Sequence, residues 1–425
     1  MNILKNSYLH AASGMYINYF LYGMVNIILA SHMSFLTESL HTNAAGISLL
    51  VSAIGFGRLA TLYVSGLLSD RFGRKPFIII AGILMAVFLV GIPLSPNLGT
   101  AVIFAVLAGV ANACMDSGTY PALIEAFPKA AGSATVLVRG VISVGASLLP
   151  IMILFIMNQG WFYGYAFFLP AVIFLLNTFL IYRAKFPSIK CNDENKETKT
   201  VTEEAPQKPV FHSPPKFRIE GLCLILLGFT GPALLYVMQL WLPTYGQQMI
   251  GLTEAESLKL ISYYNIGSLV SVFFLVIALS KWLKPVSVIL LYPILSLFAF
   301  ILLLTVKSHM AVIAAVFLIG FTISGVLQLS LTVMSEFFSE RKGQITGFMY
   351  TATSISYTTI PFVTGLLLEH FHVRSVFELA VAINLISIVL AIVVNYRYAS
   401  VFFTRTLFFR KKADSRKEKR NLLYR

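Results

Sequence analysis

Apolar runs of membrane length, separated by short polar breaks, recur along almost the whole chain. Twelve are read at roughly 14–36, 45–69, 76–94, 100–126, 133–157, 161–182, 219–243, 257–279, 285–306, 310–337, 343–367 and 374–396. Each is close to or above the roughly 20 residues that a helix needs to cross the hydrocarbon core. Lipid offers the backbone no hydrogen-bond partner, so repeated runs of this length predict helices that pair their own peptide groups, not an open sheet. One long polar stretch, 183–218, interrupts the series; it is rich in Lys, Glu, Thr and Pro and reads as a flexible linker. The pattern predicts an all-α membrane protein with a six-helix bundle at 1–184, a linker at 185–218, a second six-helix bundle at 219–398 and a basic tail at 399–425.

The two halves resemble each other at a constant offset. Glu125, Gly132 and Pro150 recur 211 positions later as Glu336, Gly343 and Pro361, and Gly57 recurs after 210 as Gly267. The constant offset marks the two halves as a parallel internal repeat.

Composition strengthens the membrane reading. Only 12% of the 425 residues are charged and 57% are hydrophobic, whereas about a quarter of an ordinary soluble domain is charged. The net charge of +14 invites a nucleic-acid reading, but its distribution argues against one. With both termini inside, twenty-seven of the 32 Lys and Arg lie on the inner side, and only Lys259, Lys307 and Arg374 lie outside. That is the positive-inside bias of a multi-pass membrane protein. The basic tail, Arg410 to Arg420, is then a topology and lipid-surface feature rather than a docking site. Residues Val401 to Phe409 alternate apolar with polar side chains and are expected along the membrane surface. Trp241 and Tyr245, near the outer end of the seventh span, are expected in the interfacial aromatic belt. Cys114, Cys191 and Cys223 lack the spacing of a disulfide framework or zinc site. Lys5 precedes a polar stretch and then a full-length span, so the first span is expected to be retained, not cleaved.

Between the second and third spans lies Gly66-Leu67-Leu68-Ser69-Asp70-Arg71-Phe72-Gly73-Arg74-Lys75. It resembles the cytoplasmic signature of the major facilitator superfamily, Gly-x-x-x-Asp-Arg-x-Gly-Arg-Arg/Lys, with every defining position filled. The corresponding loop of the second half is eroded to Ser280-Lys281 and Leu283. The resemblance implies the twelve-helix major facilitator fold of two pseudo-symmetric bundles, and secondary transport by alternating access. It also implies that Asp70 meets the N-terminus of span 11, where the helix dipole favours a negative charge. Arg71 or Arg74 would pair with Glu125 at the inner end of span 4, latching the inner face when the site opens outward. Gly66 and Gly73 need only be small or conformationally permissive.

Ionisable residues inside spans are costly and commonly mark a solute or proton path. Arg58, Asp116 and Arg139 stand out. At 1.5 Å per residue, Arg58 and Asp116 lie roughly 18 and 16 Å from the inner ends of their spans and Arg139 about 10 Å. Asn112, Asp116 and Tyr120 recur every four residues as one polar stripe, and Arg139, Ser143 and Ser147 form another. Span 1 presents Tyr16, Tyr19 and Asn26, with Tyr22 nearby; span 7 presents Tyr236 and Gln239. Gln328, Tyr350 and Tyr357 add polar groups from spans 10 and 11. The family lines its cavity largely with spans 1, 4, 7 and 10, which this pattern suits.

Two roles fit Arg58 and Asp116. They form a structural pair holding the first bundle together, or they belong to the solute site. In the second role, two arginines against one carboxylate favour an anionic solute, arginine's planar fork suits a carboxylate, and Asp116 serves as the proton-coupling site. The corresponding function is proton-coupled uptake of a small organic anion, a sugar acid or a hydroxylated cyclic carboxylate. The alternative is a proton-coupled efflux antiporter for drugs or metabolites. The family's antiporter signature on span 5 resembles Gly-x3-Gly-Pro-x2-Gly-Gly, and Gly140, Gly145 and Pro150 depart from its spacing. A non-transporting receptor on the same fold is a third, weaker option. No phosphate-binding loop or nucleophile elbow is present, so neither nucleotide-driven transport nor enzyme activity is expected. His32, His309, His370 and His372 fall at outer ends and form no expected metal site. The chain is thus expected to work without a cofactor, as a monomer in a bacterial plasma membrane, driven by the proton gradient and binding neither nucleic acid nor nucleotide.

Overall fold

The computed structural model describes residues 8–127, 131–186, 214–281, 283–306, 308–338 and 342–402. Helices α1 (Leu9–Ser31), α2 (Met33–Ser39), α3 (Ala44–Phe72), α4 (Arg74–Gly91), α5 (Leu98–Ala126), α6 (Ala131–Asn158) and α7 (Tyr165–Arg183) make up the first half. The second half comprises α8 (Leu222–Tyr245), α9 (Glu254–Lys281), α10 (Pro285–Thr305), α11 (His309–Ile323), α12 (Val326–Phe337), α13 (Lys342–His370) and α14 (Val373–Phe402). Among the described residues ten helical stretches are long and apolar enough to cross a membrane, and α1 with α2 makes an eleventh if the bent pair is one span.

Several expected boundaries move. The first span begins at Leu9 and bends by 64° at His32, where α1 gives way to α2. The sixth begins at Tyr165, because Gly160 turns the chain at φ 66° before the helix starts. The seventh runs from Phe217 to Ile250, with a wider π turn at each end of α8. The tenth is broken at Ser324–Gly325, between α11 and α12. The last helix extends to Phe402, so Val401 and Phe402 continue a span instead of starting a surface segment. The rest of the basic tail, from 403, and the linker residues 187–213 lie outside the described residues.

Helix α13 is long but poor in apolar residues, and it is not among the ten. Four of its hydroxyls are satisfied within the helix: Thr353, Thr358, Thr359 and Thr364 donate to the carbonyls of Met349, Ser354, Ile355 and Ile360, whereas Ser354 Oγ and Ser356 Oγ are buried with no partner among the described residues. That back-bonding lets a polar helix sit in an apolar surround. Helix starts are set locally, as where the Asn43 and Asn97 side chains accept from the amides of Gly46 and Thr100 at 3.0 Å.

Small residues let the helices cross closely, as membrane packing requires. A Cβ on Gly57 would lie 2.2 Å from the Val106 carbonyl oxygen, and one on Gly109 would lie 2.1 Å from that of Ile54, so α3 and α5 touch backbone to backbone. The second half repeats the device: Gly267 abuts the Phe317 carbonyl oxygen and Gly320 that of Tyr264, joining α9 to α11.

The halves meet mainly along α3 with α13 and α6 with α9. The first seam is wedge-shaped. Near its middle a Cβ on Gly55 would lie 2.5 Å from the Tyr357 backbone, and further from the 66–75 loop one on Gly365 would lie 1.8 Å from Ser48 Oγ. At the end carrying the 66–75 loop, Cβ atoms on Gly66 and Gly347 would meet nothing within 4 Å. The two helices therefore diverge toward the loop end, leaving a vestibule of about 730 Å³ with Gly66 and Thr346 among its walls. Asn43 Nδ2 donates to Glu369 Oε1 at 3.0 Å across the closed end. Trp241 and Tyr245 are buried, not at a surface belt. Trp241 Nε1 donates to Thr364 Oγ1 at 2.8 Å and Tyr245 OH donates to the Leu303 carbonyl at 2.8 Å, so both rings help fill the closed end.

Candidate functional site

Midway along the seam, both halves line a polar chamber of about 70 Å³. The first half contributes Tyr19, Tyr22 and Asn26 from α1, Arg58 from α3, Asn112, Asp116 and Tyr120 from α5, and Arg139 and Ser143 from α6. The second contributes Tyr236 and Gln239 from α8, Tyr264, Asn265 and Ser268 from α9, Ser324, and Tyr350, Thr353 and Tyr357 from α13. The four-residue stripe of α5 thus turns its whole face inward.

Arg58 and Asp116 form an ion pair, Nη2 to Oδ2 at 2.8 Å, with side chains 5% and 16% exposed. The two residues lie at similar depths on helices that run the same way, and that shared level becomes direct contact. Tyr19 OH donates to the other oxygen, Oδ1, at 2.5 Å. Asp116 is therefore held on both oxygens by groups from α1 and α3. The Arg58 guanidinium also lies 5.1 Å from the centroid of the Tyr357 ring, a cation–π contact across the seam. Its Nε and Nη1 are buried with no hydrogen-bond partner among the described residues.

Arg139 is held differently. With its amide turned to match donors to acceptors, Gln328 Oε1 accepts from Arg139 Nε at 2.7 Å and Nη2 at 2.9 Å, while the Gln328 amide nitrogen donates to the Ser324 carbonyl at 3.1 Å. Among the described residues no carboxylate is within 4.0 Å of this guanidinium. Gln328 and Arg139 both line the vestibule, and Arg139 with Arg58, Asp116, Tyr120 and Tyr350 borders the chamber too. These side chains form a charged layer between the polar chamber and a vestibule walled by apolar residues such as Val272, Leu275 and Leu329.

The structure gathers most of the residues singled out by sequence, but not all. Tyr16 turns away and donates to the Ala134 carbonyl at 3.0 Å. Ser147 points to the Ser143 carbonyl at 2.8 Å. Asn265, Ser268 and Thr353 line the chamber unanticipated. The first two share an α9 face with Tyr264, a short polar cluster that offered a signal; Thr353 is one of many hydroxyls on α13 and offered none.

At the loop end, Arg74 joins two acids. It bonds Asp70 Oδ1 and reaches Glu125 Oε1 through Nη2 at 3.2 Å and Nε at 3.3 Å. Asp70 is 67% exposed in this arrangement. Arg71 takes no part in it and lies over the Phe72 ring at 5.5 Å. Gly73 ends α3 at φ 98°, a conformation that a side chain would strain, while Gly66 has open space beside it. Residues 339–341, next to the start of α13 where Asp70 is expected to dock, lie outside the described residues.

Residues 15–356 and 287–406 match the model of the Major Facilitator Superfamily. The chain is a member of the major facilitator superfamily. Its relatives span nearly its whole length. The MFS-type transporter YfkL of Bacillus subtilis is 47% identical over 395 residues, covering 93% of this chain and 98% of that protein. The inner membrane transport protein YdiN of Escherichia coli is 37% identical over 388 residues, covering 91% and 90%. A crystal structure of a D-xylose–proton symporter has a TM-score of 0.71 at 14% identity, covering 90% of this chain and 96% of that one. A crystal structure of the nucleoside transporter NupG has a TM-score of 0.70 at 12% identity, covering 92% and 100%. At such identities the structures establish a shared facilitator fold. This facilitator is a multi-pass membrane protein of the secondary transporter class, and not an enzyme.

Proposed function

We propose that this facilitator takes up a small organic anion, a sugar acid or a hydroxylated cyclic carboxylate, by proton symport across a bacterial plasma membrane. Both termini and the 66–75 loop face the cytoplasm in this proposal, so the described conformation is open inward. The observation that carries the reading is the charge of the central layer. Arg58 and Asp116 balance each other at 2.8 Å, whereas Arg139 is bonded to the neutral amide of Gln328. One fixed positive charge is therefore left to meet an anion. The chamber's small volume of about 70 Å³ also suits a small solute, since drug-sized ligands occupy several hundred Å³.

Asp116 is the proton carrier in this scheme. Protonating it removes the charge that holds Arg58, and the proton gradient supplies the energy. Asp70, Arg74 and Glu125 act at the inner rim, re-forming a latch with α13 as the inner side closes. The apolar walls of the 730 Å³ vestibule favour a second reading, export of lipophilic compounds.

Thermal stability of the purified protein distinguishes the two, because a ligand that binds only the folded state must raise its midpoint. The panel is carboxylates, neutral sugars and lipophilic cations at pH 5.5 and 7.5. Stabilisation by a carboxylate class, lost in Arg139→Gln, supports anion symport. Stabilisation by lipophilic cations alone replaces it with export.

A further inference from the structure

The chamber contains buried groups whose hydrogen-bonding capacity no protein atom uses. Asn112 Oδ1, from the first half, and Gln239 Oε1, from the second, have no partner among the described residues. Both residues line the chamber, at 2% and 6% exposure. Asn112 shares one end of its amide with Tyr22 OH, and the other end is left for a ligand; a hydroxyl can meet it as donor or acceptor. In the charged layer below, Arg58 Nε and Nη1 are unused donors. A buried polar group left unpaired is costly. Unpaired amide ends above and guanidinium donors below therefore define the complement they require: hydroxyls at one end and an anionic acceptor at the other.

The direction is given by the fold. Asn112 lies one helical turn beyond Asp116 toward the closed end, about 6 Å along α5. Asn112 and Gln239 border the chamber only, whereas Arg58 and Arg139 border the vestibule as well. Resting on the anion reading above, we infer that the substrate binds with its carboxylate at the arginine layer and its hydroxyl-bearing body toward the closed end. Asn112 and Gln239 there are the specificity-determining residues that select hydroxylated acids over their deoxy counterparts. Each amide belongs to a different half, so only a ligand hydrogen-bonded to both ties the halves together through its own hydroxyls. A deoxy acid can occupy the arginine layer without making that bridge.

The test uses matched pairs of acids on the purified full-length protein, with dissociation constants measured by calorimetry. Quinate is paired with cyclohexanecarboxylate, and gluconate with hexanoate; myo-inositol is the uncharged control. The expected result is that one hydroxylated acid binds at least about tenfold more tightly than its deoxy partner, since a buried amide end left unpaired costs about that factor or more. In Gln239→Met and in Asn112→Leu this ratio falls toward one through loss of the hydroxylated acid, while the deoxy acid keeps its affinity and so reports that each variant is folded. Equal binding of both members of each pair to the parent protein overturns the inference but leaves the anion reading standing. An unchanged ratio in both variants overturns the assignment of these two residues. Binding of no carboxylate at all, or of myo-inositol as tightly as of the acids, overturns both.

Discussion

Replacing Asp116 with Asn removes one charge from a buried pair and leaves its partner in place. At 2.8 Å the Coulomb attraction is about 6 kcal/mol for an effective dielectric constant near 20. Burying the two ions costs much of that, so the intact pair adds little net stability. Removing one partner is a different perturbation, because Arg58 stays buried and charged with no acid beside it, and its Nε and Nη1 have no partner among the described residues even in the intact pair. The expected loss for Asp116→Asn is about 3–5 kcal/mol, the range for breaking buried pairs. Arg58→Gln/Asp116→Asn removes both charges and should recover at least half of that loss, because two neutral amides can bond each other. An amide has one oxygen where the carboxylate has two, so in Asp116→Asn the Tyr19 hydroxyl and Arg58 compete for a single acceptor, which adds to the loss. Denaturant titration of the purified protein in a mild detergent measures the four corners of this cycle. If Asp116→Asn is as stable as the parent, or if the double variant loses the sum of the two single losses, the pair is not coupled as its geometry indicates.

Three further outcomes are expected. Asp70→Asn and Arg74→Gln should slow transport in proteoliposomes while leaving substrate affinity within about threefold, because the Asp70–Arg74–Glu125 cluster lies at the rim and away from the chamber; calorimetry beside the uptake rate checks this. Gly57→Leu should abolish the folded protein, since even its Cβ would lie 2.2 Å from a carbonyl oxygen, whereas Gly66→Ala should fold normally in open space; monodispersity on size-exclusion chromatography separates the two. Trp241→Phe removes the indole bond to Thr364 at the closed end and should increase labelling of a cysteine placed in the chamber by a reagent added from outside, with unchanged labelling counting against a sealing role.

Much of this molecule was legible in residue order because the decisive physics was local. A helix that must satisfy its own backbone in lipid announces itself as a contiguous apolar run, and the 66–75 motif is contiguous too. Arg58, Asp116 and Arg139 stood out because a charge in such a run has no inexpensive explanation other than a partner or a path. Where local rules failed, the cause was distant packing. Trp241 has the composition and position of an interfacial anchor, yet α13 covers it and supplies a hydroxyl for its indole. The bend at His32 and the break at Ser324–Gly325 do not interrupt hydropathy, so they left no mark on the apolar pattern.

By itself, then, the sequence determined that this is a helical membrane protein of two related halves, and which ionisable side chains must be accounted for. Tertiary structure alone decided their partners. Arg58 and Tyr19 meet Asp116, and Arg139 meets an amide, because helix rotation and crossing bring together residues tens to hundreds of positions apart. It also decided that α3 and α13 close at one end of the seam and part at the other. That choice depends on the relative tilt of two rigid halves, a quantity that no single helix encodes.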